Sequence, residues 1–134
     1  MIVVVCLDDR GGMLFNRRRQ SQDRILRRNL LELAAGRPLW MSPYSLGQFP
    51  QPADNLRPAE DCLDRAGAGE LCFVETEDPA PWLDRMEGAV LYRWNRRYPA
   101  DLFCTLPLDR FVLDAREEFA GSSHEMITRE VYRR

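Results

Sequence analysis

The chain opens on six consecutive apolar residues, Ile2–Leu7, and then turns abruptly polar at Asp8-Asp9-Arg10-Gly11-Gly12. A strand with one wet face would alternate. An unbroken run rich in β-branched side chains suits a strand covered on both faces, as in the middle of a mostly parallel sheet. The acidic pair and the two glycines end it in a loop over residues 8–20. From 21 to 35 the period becomes helical: Leu26, Leu30 and Leu33 recur with Ile25 and Ala34 beside them, and Arg24, Arg27, Arg28 and Glu32 point elsewhere. Gly36 is placed to close this helix.

Residues 37–41 read as a second short buried strand, which Ser42-Pro43-Tyr44-Ser45 leaves at its carboxyl end. Residues 48–58, with prolines at 50, 52 and 58, predict a loop holding at most a short extended piece. A short helix over 58–66 precedes a third buried strand at 71–74. Asp78-Pro79 then offers a cap and first position for a helix carrying Trp82, Leu83 and Met86, followed by a fourth strand at 88–94. The last third loses its intervening helices. Residues 102–105, 110–115 and 126–132 are strand candidates, so the chain closes on antiparallel pairing. The final segment leaves two readings open, because Ser122 followed by Glu125 also fits a capping box and a helix. The expected architecture is one α/β domain over residues 1–134: three layers, a mostly parallel central sheet and a C-terminal antiparallel hairpin.

Composition narrows the class. At 45% hydrophobic and 30% charged residues the chain is an ordinary folded domain, neither disordered nor membrane-spanning. The first residues lack the basic region of a signal peptide, and the expected location is cytoplasmic. Cys6, Cys62, Cys72 and Cys104 stand far apart and mostly in apolar runs, which predicts buried free thiols and no metal site. With a single histidine, His124, a dinuclear His-x-His-x-Asp-His centre cannot be assembled.

Charge is unevenly distributed. Residues 1–37 hold eight arginines against Asp8, Asp9, Asp23 and Glu32, a net +4, so with −2 overall the remainder carries −6. Every cation is a guanidinium, suited to forked contacts with phosphate or carboxylate. Arg17, Arg18 and Arg19, with Arg24, Arg27 and Arg28, therefore form a candidate anion site for a phosphate or a nucleic acid, set against the plainer reading of a solvated helix face and loop. The acidic total and the lack of a recognised RNA-binding motif weigh against nucleic acid. Residues 121–125, Gly-Ser-Ser-His-Glu, gather hydroxyl, imidazole and carboxylate groups. His124 and Glu125 are a candidate acid–base pair, or simply part of a turn. Phe15, Trp82, Tyr92, Trp94 and Phe103 read as core.

The order of these pieces resembles dihydrofolate reductase: a buried strand, an Asp–Gly loop, a helix, a Pro-Leu-Trp-Met strand, a strand–helix–strand and a closing hairpin, over nearly the whole chain. The resemblance implies that family's fold. It also implies a ligand cleft between the 11–20 loop and the carboxyl ends of the strands, with Arg19, Asp23, Ser42 and Tyr44 at its edge. The family's pterin-binding acid falls by count at Leu26, and Asp23, three residues earlier, is the nearest candidate; capping the helix is its alternative role. The departures lie at the cofactor. Where the reductases carry two glycines against the NADPH pyrophosphate, this chain has Glu75-Thr76-Glu77-Asp78, and the second phosphate segment is replaced by residues 42–45 with Pro43. The expectation is a reductase-like scaffold without NADPH-dependent reduction and with no bound cofactor. It takes a small or nucleotide-like ligand, and a nucleic-acid module built on residues 17–28 is the alternative.

Overall fold

The computed structural model describes residues 1–51 and 53–134, so Pro52 of the predicted loop lies outside the described residues. Strand β1, Ile2–Leu7, pairs in parallel with β6 (Leu71–Phe73) on one side and β7 (Gly88–Arg93) on the other. It is the fourth of seven strands, in the order β5-β4-β6-β1-β7-β10-β9, where β4 is Leu39–Met41, β5 Leu56–Pro58, β9 Val112–Phe119 and β10 Ile127–Arg133. The missing alternation in β1 is explained by cover on both faces. Val4 packs with Leu26, Leu30 and Ala34 of helix α1 (Arg24–Ala34), and Val3, Val5 and Leu7 pack with Leu63, Met86 and Leu91 on the opposite side. Val3, Val4 and Val5 have no exposed surface, and each such side chain contributes about 1.5–3 kcal/mol of burial.

The five strands β5, β4, β6, β1 and β7 are parallel, and β10 turns the sheet antiparallel by pairing with both β7 and β9. The final segment is therefore a strand, which closes the helix alternative. Edge strand β9 runs on to Phe119, further than its apolar start predicted, because pairing with β10 extends across Arg116, Glu117 and Glu118. A register shift opposite Val131 and Tyr132 leaves Asp114 as an extra residue, and such a bulge with flanking charges blunts an exposed edge. Among the described residues no helix is long and apolar enough to cross a membrane.

Several local expectations change. Helix α1 closes over two residues, Ala35 (φ 51°) and Gly36 (φ 80°), not at Gly36 alone. The helix within 58–66 shrinks to α3, Cys62–Arg65, because Pro58 ends β5. Residues 78–86 form a tight 3₁₀ turn, Ala80–Arg85, started by Asp78, whose carboxylate accepts the Ala80 N–H at 3.1 Å. Ser42 caps a single helical turn, α2 (Pro43–Leu46).

The largest correction is the 8–20 loop. It contains a hairpin, β2 (Gly12–Phe15) and β3 (Arg18–Arg19), and β2 also pairs with β8 (Leu102–Phe103) in a separate three-stranded sheet. Asp8 anchors it: its carboxylate accepts the N–H of Gly12 (2.7 Å) and Arg10 (2.9 Å) and the Gln20 side-chain amide (3.2 Å). Burial opposes ionisation of Asp8, but the amides of Gly12, Arg10 and Tyr98 outweigh it and hold the carboxyl below the usual range. A side chain at Gly12 would meet the Ala100 Cβ at 2.6 Å, so only glycine fits there. Leu14 and Leu102 turn inward, and Phe15 and Phe103, expected in the core, are 47% and 39% exposed on the outer face that no layer covers.

The hairpin turns on Asn16 (φ 51°) and Arg17 (φ 61°), the two-residue type that favours Asn-Gly. An L-residue other than Asn at the second position costs about 1 kcal/mol. Arg17→Gly is accordingly expected to stabilise the fold by about 1 kcal/mol in urea unfolding; a loss of stability would show that the guanidinium carries structural contacts.

Candidate functional site

The carboxyl ends of β4 and β6 are bridged by a polar knot. Arg19, at the end of the hairpin, reaches Glu75, just beyond β6, with Nε to Oε2 at 3.1 Å and a second N–H to Oε1 at 3.3 Å. The same guanidinium donates to the Tyr44 carbonyl at 3.1 Å and lies 4.4 Å over the Tyr44 ring, while the Arg19 N–H donates to the Tyr44 hydroxyl at 2.9 Å. Gln48 adds a bond to Glu75 Oε1 at 3.0 Å. Glu75 is 7% exposed, so this forked pair works in a poorly hydrated place where a carboxylate without a partner would be costly. Cys6 of β1 lies beside the knot, its thiol pushed well up by burial and by the Glu75 charge, with Arg19 opposing. Of the four residues expected at the cleft, Arg19 and Tyr44 meet here. The Ser42 hydroxyl is occupied instead in capping α2, accepting the Ser45 N–H at 3.2 Å.

Gln48 is followed by Phe49, whose ring meets Phe73 edge-on at 6.3 Å. Phe49, Pro50 and Gln51 form one wall of a groove of about 290 Å³; its other wall is helix α1 with Arg24, Arg27 and Arg28. None of these three arginines pairs with a carboxylate among the described residues. The predicted arginine cluster is thus divided among three places. Arg19 is drawn into the knot, Arg24, Arg27 and Arg28 line the groove, and Arg17 and Arg18 stand exposed at the hairpin tip. Arg27 donates to Gln22 Oε1 at 3.2 Å, and an apolar wall facing three guanidinia without carboxylate partners is suited to a planar anion.

Asp23 faces neither. It is the N-cap of α1, accepting the N–H of Ile25 (2.9 Å) and Leu26 (3.1 Å), and it also accepts from Ser122 N–H (3.1 Å) and Ser123 N–H (2.8 Å) in the loop before β10. His124 lies within 3.3 Å of Asp23 through Nδ1, and its Nε2 meets the Tyr98 hydroxyl at 2.8 Å and the Ser21 hydroxyl at 3.2 Å. The ring stacks on Trp94 at 4.5 Å. The structure joins Asp23 to His124, whereas Glu125 is exposed on the rim of a separate shallow pocket with Asn95, Arg96 and Met126. The side chains of His124 and Asp23 are 1% and 0% exposed, which suits a structural clamp between the start of α1 and the closing hairpin. Gly121 permits the clamp: a Cβ there would sit 2.5 Å from Asp23 Oδ2. Tyr98, Trp94 and Gln48 carry no local signal, since each is recruited from a distant part of the chain.

Burial alone would raise the Asp23 pKa, but the amides of Ser123, Ser122 and Leu26 and the His124 hydrogen bond hold it far below the usual carboxylate range. A depressed folded-state value stabilises the fold above the unfolded value of about 4, and that stability drains away as pH falls below it. Asp23→Asn is expected to cost about 2–4 kcal/mol near neutral pH and to flatten the acid limb of the stability profile. A profile parallel to that of the unsubstituted chain would contradict this.

No protein-family model matches the chain, and no curated protein matches it by sequence. Among solved structures it is similar to dihydrofolate reductase from Enterococcus faecalis complexed with NADP(H) and RAB-propyl. The TM-score is 0.70 at 8% identity, covering 99% of this chain and 95% of that one. With a TM-score of 0.70 over nearly the whole of both chains, this chain has a dihydrofolate-reductase-like fold.

Proposed function

We propose that this chain is a cytoplasmic ligand-binding protein on a dihydrofolate-reductase-like scaffold, without NADPH-dependent reductase activity. The observation that carries the reading is Glu75. The turn after β6 is where the resemblance calls for bare backbone against a pyrophosphate, and it carries a buried carboxylate already paired with Arg19 and Gln48. The Ala80 N–H, at the start of the following turn, is taken by the Asp78 carboxylate, which also accepts from the Thr105 N–H. Glu77 adds a third acid, its pKa raised by burial and by Asp64. On the β4 side Pro43 has no N–H to offer, and α2 is a single turn. These residues do not fit a dinucleotide's phosphates; each like-charge contact near 4 Å costs about 1 kcal/mol even in water.

The ligand is assigned to the groove between α1 and residues 49–51, where three guanidinia without carboxylate partners face Phe49 and Pro50. A small planar anion is the class of ligand that this arrangement accepts.

Thermal unfolding with NADPH, folate and ATP as separate probes tests both halves. NADPH is expected to leave the Tm unchanged, while at least one of the other two raises it by about 2 °C or more, an effect lost in Arg27→Ala and Arg28→Ala. Stabilisation by NADPH would overturn the first half. No stabilisation by folate or ATP would overturn the second.

A further inference from the structure

The small sheet β3-β2-β8 has two unlike faces. Leu14 and Leu102, directly opposed across β2 and β8, turn to the core, so their neighbours Phe15 and Phe103 both turn outward. Phe15 is directly opposed to Arg18 on β3, which places the Arg18 side chain on the same outer face. Phe103 is opposed to Gly12, across a register shift between Gly12 and Leu14, so the two rings stand on adjoining strands with an irregularity between them. Arg17 follows at the tip, held at φ 61° in a turn position that glycine fills more readily. Neither Arg17 nor Arg18 pairs with a carboxylate among the described residues, although the third arginine of the same run is consumed by Glu75.

We propose that this outer face, Phe15, Arg17, Arg18 and Phe103, is a binding surface for single-stranded nucleic acid. Two exposed phenyl rings on adjoining strands offer stacking faces to unpaired bases, and the guanidinia beside them offer forked contacts to the connecting phosphates. A duplex hides its base faces and would leave both rings unused. The arginines taken alone left nucleic acid disfavoured by the acidic total charge. The rings exposed beside them alter that balance, because stacking is independent of net charge and Arg17 occupies a strained position that its own fold does not require. The surface is separate from the groove on α1 and does not depend on what that groove binds.

The test is fluorescence anisotropy with labelled oligothymidylate and oligouridylate of about twelve nucleotides at about 50 mM salt, alongside a duplex of equal length. Both single strands are expected to bind, and the duplex more weakly. Phe15→Ala and Phe103→Ala should each weaken binding about five-fold or more. Arg17→Gly, which favours the turn and so keeps the fold, should weaken binding and reduce the salt slope by about 0.7. A difference between the two oligomers would assign a preference for DNA or RNA on the same surface. The proposal is overturned by no binding up to about 100 μM, by tighter binding of the duplex, or by equal displacement with polyglutamate. It is also overturned if binding survives all three substitutions and is lost instead on replacing Arg24, Arg27 and Arg28.

Discussion

The forked contact between Arg19 and Glu75 is the constraint on which the candidate site depends. It ties a hairpin that leaves β1 to the far end of β6, and through Tyr44 it also fastens the turn that follows β4. Three parallel strands thus have their carboxyl ends bridged by one guanidinium. In open α/β sheets that end is where ligands are commonly received, and here it is occupied by an internal ion pair. Glu75 would be costly as a lone carboxylate at 7% exposure, and Arg19 removes that cost while supplying the stacking contact on Tyr44.

A second constraint acts at the other end of the helix's approach. Asp23 simultaneously starts α1 and receives the chain that leads into β10, so the crossover helix and the closing strand are fastened at one buried carboxylate. The His124 ring fills the space behind it, stacked on Trp94 and bonded to Tyr98. A hydroxyl, an imidazole and a carboxylate are aligned there through Ser21, but their burial and the Tyr98 bond to Nε2 are what a clamp needs. The arrangement leaves the exposed chemistry of the protein to its arginines.

The parts of this structure that were legible in the sequence are those governed by local pattern. Ile2–Leu7 announces a central strand because both of its faces must be apolar, and the leucine spacing from 26 to 33 announces a helix with one buried stripe. The Asp23 cap and the closing hairpin follow from residue type and alternation. What escaped was set by long-range pairing. The hairpin at Gly12–Arg19 is too short and too polar to carry a period, and its turn uses Asn16-Arg17 where Asn-Gly would have marked it. Phe15 and Phe103 read as core because they alternate with Leu14 and Leu102, yet alternation cannot say which face a layer will cover. For the site, the acids at 75–78 were visible as misfits to phosphate. That Glu75 has a partner 56 residues upstream, within an arginine run that read as one cluster, required the fold.

Arg19 and Glu75 act as one unit at the carboxyl ends of the strands. A double-mutant cycle with Arg19→Met and Glu75→Gln, read by urea unfolding, measures this directly. The expected coupling energy is about 1.5–3 kcal/mol, with each single substitution more damaging than the pair together would suggest. Additive losses, within about 0.5 kcal/mol, would mean that the two side chains are neighbours without being a tie.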